Sequence, residues 1–161
     1  MRSMEITGLS ELEDKLTLAG NAAQGIAKAS LYEGAGVMAD AIRGSLNAIK
    51  TEPYRWVPEN GEKRLPSPEE AAAVQSAEFG VAKHEGSGAE VNTVVGLTGS
   101  GYVDLNGKKV AAALLLRAIQ SGTSFMVAQP VVRRAINSAK GAATAKIAAE
   151  GEARLQKIFN D

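Results

Sequence analysis

The chain of 161 residues contains no cysteine and only one histidine, His84. Without cysteine there is no thiol nucleophile, no cysteine-ligated metal and no disulfide, and this absence favours a reducing compartment. A single histidine excludes a metal site built from several histidines. Aromatic residues are also few, with one Trp, three Tyr and three Phe.

Long apolar runs are missing as well. Residues Met1 to Ile6 lack the apolar stretch of a secretory signal, and no later run approaches the ~18 apolar residues of a membrane span. We therefore expect a soluble protein, made in the cytosol, with no membrane partner. The length predicts a single domain over residues 1–161, large enough to bury a core without staples.

The charges balance overall but not along the chain. There are 18 basic and 18 acidic side chains, and this neutrality argues against a general nucleic-acid binder. Residues 1–90 hold 14 acidic and 9 basic side chains, whereas residues 91–149 hold 7 basic and one acidic, Asp104. Two interpretations stay open: differently charged solvated faces, or head-to-tail contacts between copies, which generate rings when the rotation closes.

The N-terminal third is predicted to be mainly helical. Residues Met4 to Gly8 alternate loosely and predict a short strand. Ser10 and Glu13 have the spacing of a capping box, so a helix should begin near Ser10. Gly20-Asn21 is expected to interrupt it, and the apolar spacing then predicts a long helix over residues 22–50.

The rest of the chain alternates between short elements before a final helix. Ser67-Pro68 followed by two acidic residues predicts a short helix to about Glu78. Further elements are predicted as follows: a hairpin of Phe79–His84 with Glu90–Leu97, a hairpin of Tyr102–Leu105 with Lys108–Val110 around a type I′ Asn106-Gly107 turn, a helix over 111–119, and a helix of nearly thirty residues after Pro130. These elements predict an α+β fold, with a small antiparallel sheet packed against two long helices and short additional helices.

Residues 51–66 form a long segment rich in proline, glycine and charge, which we call the arm. Loops of this length are usually functional or disordered. The arm contains Tyr54, Arg55 and Trp56, and Trp and Arg are favoured interface anchors. A contact arm is one interpretation; burial of Trp56 against the protein's own core is the other.

Motifs that suggest catalysis fail on their context. Residues Gly34–Ala39 match the GxGxxA fingerprint, but helical spacing precedes them instead of a strand, so close helix packing is the simpler explanation. Residues Gly96–Gly101 lack the lysine of a phosphate loop and predict a turn. His84 has no Asp-His-Ser arrangement, and Glu69-Glu70 are predicted to be solvated. We expect no catalytic residues, no cofactor, no metal and no enzymatic activity.

Local features of the sequence are compatible with two functions. The basic segment 91–149, with Arg133, Arg134 and Lys140, is compatible with a small DNA-associated protein, although a solvated helix face explains the same pattern. A ligand-binding or hydrolytic domain around His84 and the glycine-rich strand edges is another hypothesis.

Three segments carry a resemblance. Residues Met4–Leu16 read as a short strand, Gly-Leu and a leucine-rich helix. Residues Leu31–Ala41 have an Ala/Gly-rich centre before alternating charge, and Gly122–Ala135 reads as Gly-Thr, a short loop with Met, then Pro and an apolar-apolar-Arg-x-Ala helix start. In these features and in the order of elements, most of the chain resembles the tail-completion, or neck, proteins of long-tailed bacteriophages and prophages.

The chain departs from that family's pattern at two places. Ile119, Gln120 and Ser121 stand where aromatic and acidic residues often precede Gly-Thr. The usual Thr-Gly-x-Leu after the second helix is missing, and the arm with its following helix takes its place. These departures concern the partner contacts more than the fold.

The resemblance implies an α+β subunit that forms a homo-oligomeric ring at the head-tail junction of the virion, after assembly in the host cytoplasm. Its partners would be the head connector or adaptor and the tail terminator or tail tube, with genomic DNA passing non-specifically through the lumen. Candidate subunit or partner contacts are Tyr54, Arg55, Trp56, Gly122, Thr123 and Pro130. Candidate lumen or inter-subunit charge contacts are Arg133, Arg134 and Lys140.

Overall fold

A computed structural model describes residues 9–55, 61–87, 90–99 and 101–160. The elements, in chain order, are α1 (Leu9–Leu46), α2 (Pro68–Gln75), β1 (Phe79–Ser87), β2 (Glu90–Leu97), β3 (Tyr102–Leu105), β4 (Lys108–Ala111), α3 (Ala112–Ser121) and α4 (Val131–Asn160). The predicted α+β class is confirmed. The strands form two separate two-stranded sheets, β1-β2 and β3-β4, instead of the single small sheet expected.

The first helix differs from its prediction in continuity. It runs unbroken over 38 residues, through Gly20 and Asn21, where an interruption was predicted. It begins at Leu9, so Ser10 lies inside the helix, and it ends at Leu46 instead of residue 50. The interruption was wrong because a single glycine lowers helix stability by only about 1 kcal/mol, which packing along the helix can offset. The predicted strand at Met4–Gly8 lies outside the described residues.

Both hairpins form where predicted. In the first, Phe79 pairs with Leu97 and Ser87 with Glu90, so β1 is three residues longer than expected, and the register shifts between Val81 and Lys83. In the second, Leu105 pairs with Lys108 around Asn106 and Gly107, whose φ angles of 53° and 77° fit the predicted type I′ turn.

The two long helices, α1 and α4, run antiparallel against each other. Gly34 lies against Ile147 and Ala143, Ser30 lies near Gly151, and the Lys15 Nζ donates to the Phe159 carbonyl at 2.9 Å. A rise of about 1.5 Å per residue makes α1 about 57 Å long and α4 about 45 Å long. A small residue at position 34 permits this contact, as predicted, because any side chain there would collide with Ile147.

The hydrophobic core lies at one end of this helical pair. Here the C-terminal part of α1 and the N-terminal part of α4 meet α2, α3 and both hairpins, with Leu46, Val74, Ile119 and Met126 among the most buried side chains. We call this end the head. The other end, residues 11–33 of α1 and 144–160 of α4, is a two-helix stalk in which Ser30 is the only buried residue.

Candidate functional site around Arg64

Arg64 joins the arm to the body of the head through its main chain. Its N–H donates to the Phe125 carbonyl, and the Val127 N–H donates to the Arg64 carbonyl, each at 2.8 Å. These bonds form a parallel bridge between Arg64 and Met126. The arm is therefore paired with the loop that precedes α4.

The side chain of Arg64 is buried and binds Glu70 with both terminal nitrogens. Nη1 donates to Oε2 and Nη2 to Oε1, each at 2.6 Å, and Nη1 also donates to the Leu65 carbonyl at 3.0 Å. The guanidinium lies 5.0 Å from the ring centre of Tyr54 and 5.9 Å from that of Phe125. A planar guanidinium suits both the two-pronged bond to a carboxylate and the stacking against aromatic rings.

Glu70 connects this ion pair to the start of α2. Its carboxylate accepts from the Ser67 N–H at 2.8 Å, while the Glu70 N–H donates to the Ser67 hydroxyl at 3.2 Å, which completes a capping box. Burial alone would raise the pKa of Glu70, but the hydrogen bonds from Arg64 and Ser67 hold it below its usual value. The hydrogen bond to Glu70 raises the pKa of Arg64. Both groups are therefore charged at neutral pH.

A second ion pair, Glu52–Arg55, holds the first part of the arm. The Arg55 Nε donates to Glu52 at 3.1 Å, and its Nη2 donates to the Lys63 carbonyl at 3.0 Å. Glu52 also accepts from the Leu65 N–H at 2.9 Å, and this bond lowers the pKa of Glu52. Arg55, predicted as a partner contact, thus uses its donors within the arm and links Glu52 to Lys63.

The loop facing the arm is shaped by the predicted Gly-Thr pair. Gly122 has a φ of 73°, and a side chain there would meet the Met126 carbonyl. The Thr123 hydroxyl accepts from the Met126 N–H at 3.0 Å, and the Thr123 N–H donates to the Met126 carbonyl at 3.0 Å. Pro130 ends the loop and accepts from the Arg134 N–H in the first turn of α4. Gly122 and Thr123 therefore fix the conformation of the loop, and Pro130 joins it to α4.

The arm and the loop together expose an apolar surface. Tyr54, Phe125 and Val127 remain 65%, 47% and 38% exposed. The rings of Tyr54 and Phe125 lie near the buried Arg64 guanidinium, and the Val127 N–H donates to the Arg64 carbonyl. We call these three side chains the apolar surface. Trp56, the other aromatic of the predicted contact set, lies outside the described residues. Tyr54 was predicted from sequence; Arg64, Glu70 and Phe125 were not.

The predicted basic residues lie on α4. Arg133 and Arg134 stand in the first turn of the helix, and Lys140 lies two turns on; all three are exposed. Within the described chain none of the three makes an ion pair. Positive charge at a helix N-terminus opposes the helix dipole, so these arginines do not serve helix stability. Helical spacing puts Arg133 and Lys140 on one stripe, with Arg134 about 100° away.

The other motifs noted in the sequence lie in a helix, in a strand or in the segment that joins two strands. Gly34–Ala39 lies inside α1, and the Gly96–Gly101 segment leads from β2 to β3. His84 lies in β1 opposite Thr93. Across the described ranges there is no group of His, Asp or Glu side chains that could hold a metal ion. None of the described helices is long and apolar enough to cross a membrane.

Comparison with known proteins identifies no relative: no family model, no curated protein and no solved structure matches this chain.

Proposed function

We propose that this chain is a structural protein of the phage neck, a tail-completion or head-tail joining subunit. In this proposal several copies form a ring between the head connector and the tail terminator or tail tube, and DNA passes through the lumen. The role is geometric, with no reaction to catalyse. The chain acts by presenting fixed surfaces to its neighbours.

The observation that carries the proposal is the pairing of the arm with residues 122–130. This loop belongs to the segment with the strongest resemblance to neck proteins. The buried Arg64–Glu70 pair fixes the arm against this loop, and together the arm and the loop form the apolar surface. Exposed aromatic side chains such as Tyr54 and Phe125 are typical of protein contact sites.

The charge distribution supports the ring. The acidic residues of segment 1–90 on one copy could meet the basic segment 91–149 on the next, since complementary charge fixes register between subunits. Arg133, Arg134 and Lys140 have no ion-pair partners in the described chain, which leaves them available for a neighbouring copy or for DNA phosphates.

The test is electron microscopy of particles made after deletion of the gene from the phage or prophage that encodes it, with the wild-type gene as the complemented control. We expect filled heads to accumulate apart from finished tails. Complementation with Tyr54→Ala/Phe125→Ala should fail to join them, whereas Leu114→Ala, an equally exposed change on α3, should succeed. Intact, infectious virions without the gene would refute the proposal.

A DNA-associated role is the second candidate, favoured by the arginine pair in the first turn of α4. It predicts binding of isolated protein to duplex DNA that weakens steeply with salt. Reversal of Arg133 and Arg134 to Glu should abolish this binding. If the isolated protein binds no DNA at low salt, this candidate is excluded, while the neck role, in which the lumen forms only after assembly, is unaffected.

A further inference from the structure

Three glutamine side chains bond to the main chain where the two long helices end in the head. The Gln75 Nε2 donates to the carbonyl of Leu46, the last residue of α1, at 3.1 Å. The Gln120 Oε1 accepts from the Val132 N–H, in the first turn of α4, at 3.1 Å. Within the described chain each of these two amides makes one such bond. Gln129 differs from them, because both polar atoms of its amide bond to the same residue.

The Gln129 amide holds the main chain of Lys50. The Lys50 N–H donates to Oε1, and Nε2 donates to the Lys50 carbonyl, each at 2.8 Å. An amide carries a donor and an acceptor side by side, so it can pair with one residue as a neighbouring β-strand does. Lys50 immediately precedes the arm. Gln129 therefore fixes the point at which the arm starts.

The main chain of Gln129 is in turn attached to two helices of the head. Its N–H donates to the carbonyl of Ile119 in α3, and its carbonyl accepts from the N–H of Val131 in α4, each at 2.8 Å. Ile119 is fully buried, and Val131 is buried as well. The Gln129 side chain thus links the start of the arm to the core.

The arm is attached to the same loop at both ends. Its start is held by Gln129, and its end is held by Arg64, whose main chain bonds to Phe125 and Val127. Tyr54 lies between these two attachments along the chain. The Arg64 guanidinium lies 5.0 Å from the ring centre of Tyr54 and 5.9 Å from that of Phe125. A displacement at the start of the arm would therefore move Tyr54 relative to Phe125.

We propose that Gln129 is a positioning residue of the apolar surface: its amide fixes the start of the arm and so holds Tyr54 beside Phe125 before a partner docks. The partner then binds a surface that requires no ordering on docking, and such preorganisation favours affinity. Gln129 acts through the arm. The inference rests on the proposed function, in which the apolar surface is the contact with a neighbouring neck protein.

Gln129→Met and Gln75→Met form a matched pair of variants. Methionine is an unbranched side chain of similar length, and it can make neither of the amide bonds. Both substitutions remove a bond between a glutamine and the main chain close to the end of α1, at Lys50 and at Leu46. Only Gln129→Met changes the attachment of the arm. Urea denaturation of both variants separates a general loss of stability from an effect on the arm.

Amide hydrogen exchange of the full chain tests the positioning role. The informative groups are the N–H groups of Arg64 and Val127, which bond between the arm and the loop and not to Gln129. Gln129→Met should raise their exchange rates about fivefold, as expected for the loss of an ordinary hydrogen bond that supports the arm. Gln75→Met should leave both rates at the wild-type value.

Complementation of the gene deletion tests what the position serves. With Gln129→Met, the fraction of filled heads joined to tails should fall about fivefold, because the arm must then be ordered on docking. Gln75→Met should join heads to tails as the wild type does. Gln129→Asn keeps the amide but is one methylene shorter, so it cannot reach Lys50 in the same way. It should reproduce both effects if Gln129→Met fails to fold.

Three results would overturn the proposal: unchanged exchange at Arg64 and Val127 in the Gln129 variants, an equal increase in Gln75→Met, or faster exchange together with normal joining. The first two are measured on the isolated chain without phage partners. Intact virions without the gene would refute the neck role, while the exchange rates would still decide whether Gln129 positions the arm.

Discussion

The head and the stalk share the same two helices but are held together differently. In the head half of α4, Val131, Ala135, Ala139 and Ala143 are buried at regular four-residue spacing; in its stalk half no residue is buried. In α1, large side chains such as Ile42 and Leu46 are buried in the head. In the stalk, Leu12, Leu16 and Leu18 are 49–58% exposed.

The difference shows which part of the molecule stabilises the two long helices. Helices of this length gain most of their stability from packing of an apolar face, so the head stabilises both helices at one end. The stalk extends the helices beyond that core, where leucines of α1 remain exposed. Variants in the head should therefore change the free energy of unfolding much more than variants in the stalk.

The largest effect is expected at the ion pair of the head. Arg64→Ala leaves the Glu70 carboxylate buried without its partner, and breaking a buried pair in this way destabilises by about 3–5 kcal/mol. Urea denaturation at neutral pH measures the loss. Arg55→Ala is the control within the same arm, since Arg55 is 42% exposed and such pairs contribute about 1 kcal/mol or less. Equal losses would contradict the central role of Arg64.

Truncation of apolar side chains compares the two regions directly. Ile119→Ala, at a fully buried site in the head, should lower the free energy of unfolding by about 2–5 kcal/mol. Leu16→Ala in the stalk should change it by less than about 0.5 kcal/mol. Both variants are measured by urea denaturation under the same conditions. A large loss from Leu16→Ala would mean that the stalk is packed in the free monomer.

Two glycines of α1 test how closely this helix packs against α4 at the junction between head and stalk. Gly34→Ala puts a methyl group into Ile147 and against the Ala143 carbonyl, and such overpacking destabilises by about 1–3 kcal/mol. Gly36→Ala, two residues on, meets no atom within 4 Å and should stabilise by about 0.5–1 kcal/mol through helix propensity. Thermal unfolding of the two variants should shift in opposite directions. Partial rescue of Gly34→Ala by Ile147→Ala would assign the loss to this contact.

Much of the fold could be predicted because its signals are local. The helix cap at Ser67 and the Asn106-Gly107 turn each lie within a few neighbouring residues, and the final helix follows from the apolar spacing along its own sequence. The continuity of α1 through Gly20 could not, because it depends on a balance between a weak local preference and the packing of the whole helix. The separation of the hairpins into two sheets depends on contacts between distant segments.

The candidate site was predictable only in part, for the same reason. Tyr54, Gly122 and Thr123 could be singled out by residue type or resemblance. Arg64 could not, because its main-chain partner, Met126, lies 62 residues away and a lone arginine in a charged loop has no signature. Glu70 was predicted correctly as an acid in the first turn of α2, but the prediction that it is solvated was wrong, because its carboxylate is largely buried against Arg64. That bond has no local signal either.

The smallest effect is the pH dependence of stability that comes from two carboxylates of the head, Glu52 and Glu70. The pKa values of Glu52 and Glu70 are lowered in the folded protein, so each carboxylate contributes stability that is present above its unfolded pKa, near 4.5, and lost as the pH falls through the folded value. The urea midpoint should therefore decrease below about pH 5. Glu70→Gln should be less stable than the wild type at neutral pH but lose less on acidification, because glutamine cannot take up that proton. The two midpoints should converge as the pH falls below the folded pKa of Glu70; parallel curves would mean that Glu70 does not couple the arm to the head through its charge.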